Sequence, residues 1–280
     1  YEMTSSLVGS EMCIRDRASF GMLQYTFDIS TFEYFLLILV RISCFVFVAP
    51  FFGAKEVPGR VKIGLSAFVA ILVFYAVPVE HTAYTSEVGY AILVLKEGIT
   101  GLLIGFAAYI CNSIILLAGN MIDMEIGLSM ATEYDPMNNT QVNITGQLYN
   151  YLLLLLLIAT DMHHYILHAV VDSYKLIPVN GQVFQWDHLF QSFLTYMTDL
   201  FVIAFRIILP IFAVMMILNC ILGIMAKVAP QMNMFAIGMQ MKILIGFLIM
   251  FLTIRLLPSI SNFVFKEMKR MIVSMIEGMY

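Results

Sequence analysis

Residues 118–150 read AGNMIDMEIGLSMATEYDPMNNTQVNITGQLYN, a polar stretch between two of the longest apolar runs in the chain. It carries four carboxylates (Asp123, Glu125, Glu133, Asp135) and no Lys or Arg. Lipid cannot satisfy the backbone of so polar and Gly-punctuated a segment. It must lie in water, line a wet cavity or be buried against protein. Nearly everything around it is membrane-like. A greasy scaffold with one long irregular insertion points to a conduit or a gate sooner than to a soluble enzyme.

The 280 residues are 61% hydrophobic and 12% charged, with a mean hydropathy of +0.88. Soluble domains carry roughly a quarter charged residues, so composition alone implies a polytopic membrane protein. The net charge of −4 conceals an asymmetry. Glu97–Phe205 holds nine acidic residues and one basic, Lys175, whereas residues 200–280 hold seven basic and two acidic. The basic end suits a cytoplasmic membrane face and the acidic middle a cation-tolerant or partner-facing surface; neither resembles a nucleic-acid binder. Cys44, Cys111 and Cys220 sit singly inside apolar runs and read as small hydrophobic fillers. Ser5–Arg17 resembles a translated sequencing adaptor and lacks the apolar core of a signal peptide. Residues 1–20, Cys13 included, are therefore set aside as a non-native extension, and 21–280 are read as one membrane domain with a basic tail at 259–280.

A helix needs about 20 apolar residues to span a bilayer. Six segments qualify: Thr31–Phe52, Val61–Val79, Ala91–Ala118, Leu152–Val171, Leu200–Met225 and Ala236–Leu257. The fourth, broken by Asp161-Met-His-His, is the weakest. Lys55, Arg60 and Lys62 in the first short loop and Lys266, Lys269 and Arg270 in the tail should both be cytoplasmic. Five segments separate them, and an odd number of crossings puts them on opposite sides. One segment must be re-entrant, or some helices never span lipid and bury against partner subunits instead.

Gly98, Gly101 and Gly105 form a small-residue face, with a GxxxG at Gly101/Gly105 that allows close helix approach. The 21 methionines include Met121, Met124, Met130 and Met137 in the polar stretch and Met232, Met234, Met239 and Met241 near the last hairpin. Flexible thioethers suit surfaces that must reshape, although each is also ordinary core filler. His164, His168 and Asp172 share a helical face beside His163 and Asp161. With no HExxH and no Cys partner, a partly wet helix end accounts for them better than a metal site. Asp123/Glu125 and Glu133/Asp135 read as solvated loop acids before a catalytic or proton-relay pair. Arg41, Arg206 and Lys242, inside or at the edge of apolar runs, call for structural or inter-subunit partners, and Glu97 for a local pair with Lys96 or a subunit salt bridge. Neither a nucleotide-binding GxxxxGK[ST] nor a GxSxG is present. No cofactor, metal or catalytic residue is expected.

Several fragments together resemble one family. RIxxFxxxxPxFG (Arg41, Pro50, Phe52, Gly53) is followed by PxRxK (Pro58, Arg60, Lys62), then Glu97-Gly98 with Gly101 and Gly105. AGxxID (Ala118, Gly119, Ile122, Asp123), GLS (Gly127–Ser129) and Asp135-Pro136 follow, then PQxN (Pro230, Gln231, Asn233), Gly238 and Lys242. In order and spacing, from about Thr31 to Met268, they resemble the FliR family of type III secretion export-gate components. Where that family often carries Gln before GLS, this chain has Glu125.

The resemblance implies an all-α fold of membrane-associated helical hairpins, joined with FliP-like and FliQ-like subunits into a hetero-oligomeric gate in the bacterial inner membrane. FlhB-like and FlhA-like proteins would adjoin it and unfolded export substrates would pass through. It also implies that the polar stretch is a plug-like loop, with Gly119, Met121, Asp123, Met124, Gly127, Met130, Asp135 and Pro136 as its candidates. Gly119 and Gly127 are expected to give it backbone freedom. Arg41, Glu97, Gly101, Gly105, Arg206, Pro230, Gln231, Asn233 and Lys242 are the packing or inter-subunit candidates. Deleting Gly119–Ser129 is expected to leak ions while partly sparing assembly. The rivals are the homologous virulence injectisome subunit and, in another class, an ion-coupled secondary transporter using Glu97, Lys242 and the acids of the polar stretch.

Overall fold

The computed structural model describes residues 29–54, 57–77, 87–131, 133–135, 140–179, 181–229, 231 and 233–280, with side chains left undescribed at 130–142, 234 and 235. The proposed N-terminal extension, Lys55, Pro136 and Pro230 lie outside the described residues. The helices are α1 (Ile29–Val48), α2 (Gly59–Ala76), α3 (Glu87–Ile126), α4 (Ile144–Ala159), α5 (Met162–Leu176), α6 (Trp186–Val228), α7 (Met234–Thr253) and α8 (Leu257–Glu277). A single 3-10 turn, Leu128–Ala131, and a two-stranded antiparallel hairpin, β1 (Glu133–Asp135) with β2 (Thr140–Val142), join α3 to α4.

Prolines punctuate the helices where their missing N–H costs least. Pro58 precedes α2 and Pro258 opens α8. Pro210 is the exception, inside the 43-residue α6. It cannot donate to the carbonyl of Arg206 one turn back.

The 40-residue α3 is the axis of the fold: 61% of its most apolar window is buried, against 28% for α6 and 22% for α2 and for the combined α7–α8 stretch 236–277. It packs against α1, α4, α6 and α8. The fully buried α1 side chains Leu37, Ile38, Arg41, Ile42 and Phe45 recur at helical spacing. By contrast, α6 exposes Phe201, Phe205, Leu209, Phe212, Ile217 and Ile221, and α2 exposes Phe68, Leu72 and Tyr75. Such faces suit lipid or neighbouring subunits, not water.

Five helices are long and apolar enough to cross a membrane, and α4 with α5 would make a sixth if counted as one span. That pair is bent by 71° at Thr160–Asp161. If it turns back there, four spans remain between the two basic segments, and the parity conflict disappears.

One expectation is corrected. Residues 118–150 are not one loop: α3 continues to Ile126 and α4 starts at Ile144, so the connection is confined to 127–143. Asn, Asp and Thr lowered the hydropathy there without breaking the helices, because those polar groups pair across the hairpin. The basic tail at 259–280 is largely α8, whose Met268, Met271 and Met275 are buried, as is Met279 just beyond it, with the Met271 Sδ 3.7 Å from the Cys111 Sγ of α3.

Candidate functional site

Two polar constellations, one sealed and one partly buried, organise α3. The first lies near its N-terminal third. The Arg41 Nε donates to Glu97 Oε2 at 2.6 Å, with both side chains sealed from solvent. Arg41 Nη1 donates to the Ile177 carbonyl at 3.1 Å and to Ser173 Oγ at 3.4 Å. Its guanidinium lies 4.1 Å from the centre of the Tyr174 ring, whose hydroxyl donates to the Ile38 carbonyl. Gln182 Nε2 donates to the other Glu97 oxygen. The described partner of Glu97 is therefore not Lys96 but Arg41, 56 residues away. A buried charge needs this saturation, since desolvation otherwise outweighs the ionic attraction.

The helices can approach closely there because Gly101 has no side chain. A Cβ at Gly101 would lie 2.1 Å from the Arg41 carbonyl oxygen, and one at Gly105 would lie 3.0 Å from the Phe45 carbonyl oxygen. Gly98, on the same face, meets only side-chain atoms at 3.6 Å and beyond.

The second constellation clamps the α3–α4 hairpin below its connection. Asn112 Nδ2 donates to Asn150 Oδ1 at 3.1 Å, and Asn143 Nδ2 donates to Asn120 Oδ1 at 3.0 Å. The buried Asp123 Oδ2 accepts from the Thr145 backbone N–H at 3.1 Å, satisfying an orphan donor in the first turn of α4. The backbones cross at Gly119 and Gly146, where a Cβ on Gly119 would lie 2.2 Å from the Gly146 Cα. The Asn112/Asn150 pair encloses the other two, as an antiparallel hairpin demands. Gly119 is therefore a packing glycine inside a helix, not a source of loop freedom. Gly127 does take the left-handed conformation, with φ +90°, as its N–H closes the end of α3 on the Asp123 carbonyl.

Of the other candidates, Met121 is half-buried on the stem and Met124 is exposed. Met130 falls in the 3-10 turn and Asp135 in β1, as backbone positions. Gln231 is exposed, and the Asn233 side chain caps α7 by accepting from the Ala236 N–H. Arg206 is exposed on α6 and Lys242 is half-exposed on α7. Among the described residues, neither is in an ion pair. Gly146, Gln182, Ser173 and Tyr174 escaped the sequence reading. The only signal for the clamp was the recurrence of Asn112, Asn120 and Asp123 within an apolar helix.

Asp123→Ala should leave the Thr145 N–H unpaired and cost about 1–3 kcal/mol, whereas Asp123→Asn keeps an acceptor and should cost less. Thermal unfolding in detergent with a common wild-type reference checks this ranking.

The bacterial export proteins, family 1, match residues 32–268 of the chain. Among relatives, the flagellar biosynthetic protein FliR of Bacillus subtilis (strain 168) is 32% identical over 225 residues, covering 79% of this chain and 86% of that protein. The flagellar biosynthetic protein FliR of Escherichia coli (strain K12) is 24% identical over 258 residues, covering 91% and 98% respectively. That of Buchnera aphidicola subsp. Acyrthosiphon pisum is 29% identical over 218 residues, covering 77% and 83%. With its long apolar helices arranged around α3, the chain belongs to the bacterial export proteins of family 1, the family of the flagellar FliR proteins, as a multi-pass inner-membrane component of flagellar protein export.

Proposed function

We propose that the chain is a non-enzymatic, gate-forming subunit of the flagellar type III export apparatus. It would act beside FliP-like and FliQ-like subunits and next to FlhB-like and FlhA-like proteins. The observation that carries this reading is the contrast within the α3–α4 hairpin. A short connection at 127–143, with the exposed Met124 at its base, stands on two helices locked by the Asn112/Asn150, Asn120/Asn143 and Asp123/Thr145 contacts. A seal that yields to an unfolded chain needs a stem that holds still while the piece it carries changes place, and the clamped helices supply that stem. The exposed apolar faces of α2 and α6 supply surfaces for neighbouring subunits, and Arg206 and Lys242 supply cations for acidic partners. Energy would come from elsewhere, since the sequence holds no nucleotide-binding motif.

The flagellar relatives favour this role over an injectisome one. The transporter reading loses one of its coupling candidates, because both Glu97 oxygens are engaged by Arg41 and Gln182 in a sealed site.

The clamp changes the expected outcome of the Gly119–Ser129 deletion. That deletion removes the last turns of α3 with Gly119, Asn120 and Asp123, so assembly should fail altogether. Replacing only residues 128–141 with a linker of about four residues, a usual length between packed helices, leaves the clamp intact. Assembled gates carrying it should conduct ions in proteoliposomes where the wild type is tight. Assembled but equally tight gates would overturn the sealing role.

A further inference from the structure

Among the described residues only two non-glycines have positive φ, Phe51 at 72° and Asp161 at 55°, and they flank one histidine. Left-handed backbone is costly for a bulky aromatic, and such outliers cluster where a constellation is held for use. Phe51 sits in a tight turn after α1, closed by Gly53 N–H donating to the Ala49 carbonyl at 2.7 Å and by Lys62 Nζ donating to the Gly53 carbonyl at 3.0 Å. Its ring centre is 6.0 Å from that of His163, which in turn is 4.1 Å from that of His164.

Asp161 is the N-cap of α5, at the 71° elbow, yet its side chain makes no cap hydrogen bond. Asp at this position ordinarily accepts from the first turn. The Nδ1 atom of His163 is buried without a hydrogen-bond partner among the described residues. One ligand atom each from Asp161, His163 and His164 lies within 4.8 Å of the other two. The helical stripe of His164, His168 and Asp172 is not this cluster. His168 lies a turn further along, and Asp172 is bonded to Lys175 at 2.7 Å.

We propose that Asp161, His163 and His164 form a three-ligand site for a borderline divalent ion of the zinc, cobalt and nickel class. Two imidazole nitrogens and one carboxylate oxygen suit these ions, whereas magnesium and calcium prefer oxygen-only sets. Zinc bonds of about 2.0–2.2 Å bring tetrahedral ligands to roughly 3.3–3.6 Å of one another, so side-chain rotation must close the cluster slightly. Asp161 and His164 are exposed, which gives the ion a route in. Bound there, it ties the first turn of α5 to the elbow and, through His163 against Phe51, stiffens the elbow's contact with the α1–α2 turn.

The test is zinc titration of the full chain, purified in mild detergent without a histidine tag and stripped with chelator. The readouts are calorimetry and metal content after desalting. Saturable uptake of one zinc per chain is expected, weakened at least tenfold in His163→Gln, His164→Gln and Asp161→Asn and unchanged in His168→Gln. Zinc should also raise the unfolding temperature of the wild type only. Wild-type uptake no greater than that of the His163→Gln/His164→Gln double variant would overturn the site, as would equal weakening in His168→Gln. Absence of stoichiometric uptake by the wild type would overturn it whatever the folding of the variants.

Discussion

Glu97→Ala is expected to remove most of the folded protein from the membrane, with a destabilisation on the order of 3–5 kcal/mol. The reason is the burial of its partner. Arg41 is 0% exposed, its guanidinium cannot shed its proton, and its Nη2 already lacks a partner among the described residues. Without the carboxylate, only the Ile177 carbonyl, Ser173 Oγ and the Tyr174 ring remain to face the charge. Gln182 would lose its acceptor as well. Arg41→Met alone should be nearly as harmful, because it strands the Glu97 carboxylate. The double variant Arg41→Met/Glu97→Gln removes both charges while keeping similar volume, and should recover much of the loss. Accumulation and monodispersity in detergent, compared across the three variants, read this directly. Full accumulation of Glu97→Ala would show that the pair is not the buried anchor described above.

Gly101→Ala is the second large effect, and its contrast with Gly98→Ala makes it diagnostic. A methyl at 101 would lie 2.1 Å from a backbone oxygen of α1, which cannot rotate away as a side chain can. The helices must separate by over an ångström, and the residue they separate at is Arg41 itself. Overpacking ordinarily costs 1–3 kcal/mol; added loss of the ion pair puts Gly101→Ala at about 3 kcal/mol or more. The methyl of Gly98→Ala meets Val40 and Cys44 side chains at 3.6 and 3.7 Å, ordinary contact distances. Relief of the helical glycine penalty should make it neutral or stabilising by up to about 1 kcal/mol. Paired thermal melts of the two variants check this. Equal losses at both positions would contradict the close crossing.

Glycine spacing made the α1–α3 approach legible, since Gly98, Gly101 and Gly105 mark one helix face without any knowledge of the partner. The elbow was legible too, because Asp161-Met-His-His interrupts an apolar run that would otherwise be one helix. The partner of Arg41 was not. Glu97 lies 56 residues away, and no local pattern encodes which helix returns beside α1. The polar stretch was misread for a related reason. Average hydropathy counts Asn120, Asp123, Asn143 and Asn150 as signs of water, but across the hairpin Asn120 meets Asn143, Asn150 meets Asn112 and Asp123 accepts from the Thr145 N–H. Once paired, they mark a helix–helix interface, and the connection shrinks to 127–143.

The export-gate reading is tested most directly by co-expressing the full chain with its FliP-like and FliQ-like partners. The complexes would be purified in mild detergent and weighed by native mass spectrometry. A defined hetero-oligomer containing this chain in fixed stoichiometry is the predicted result. A stable lone monomer or homodimer, despite those partners being present and folded, would contradict it.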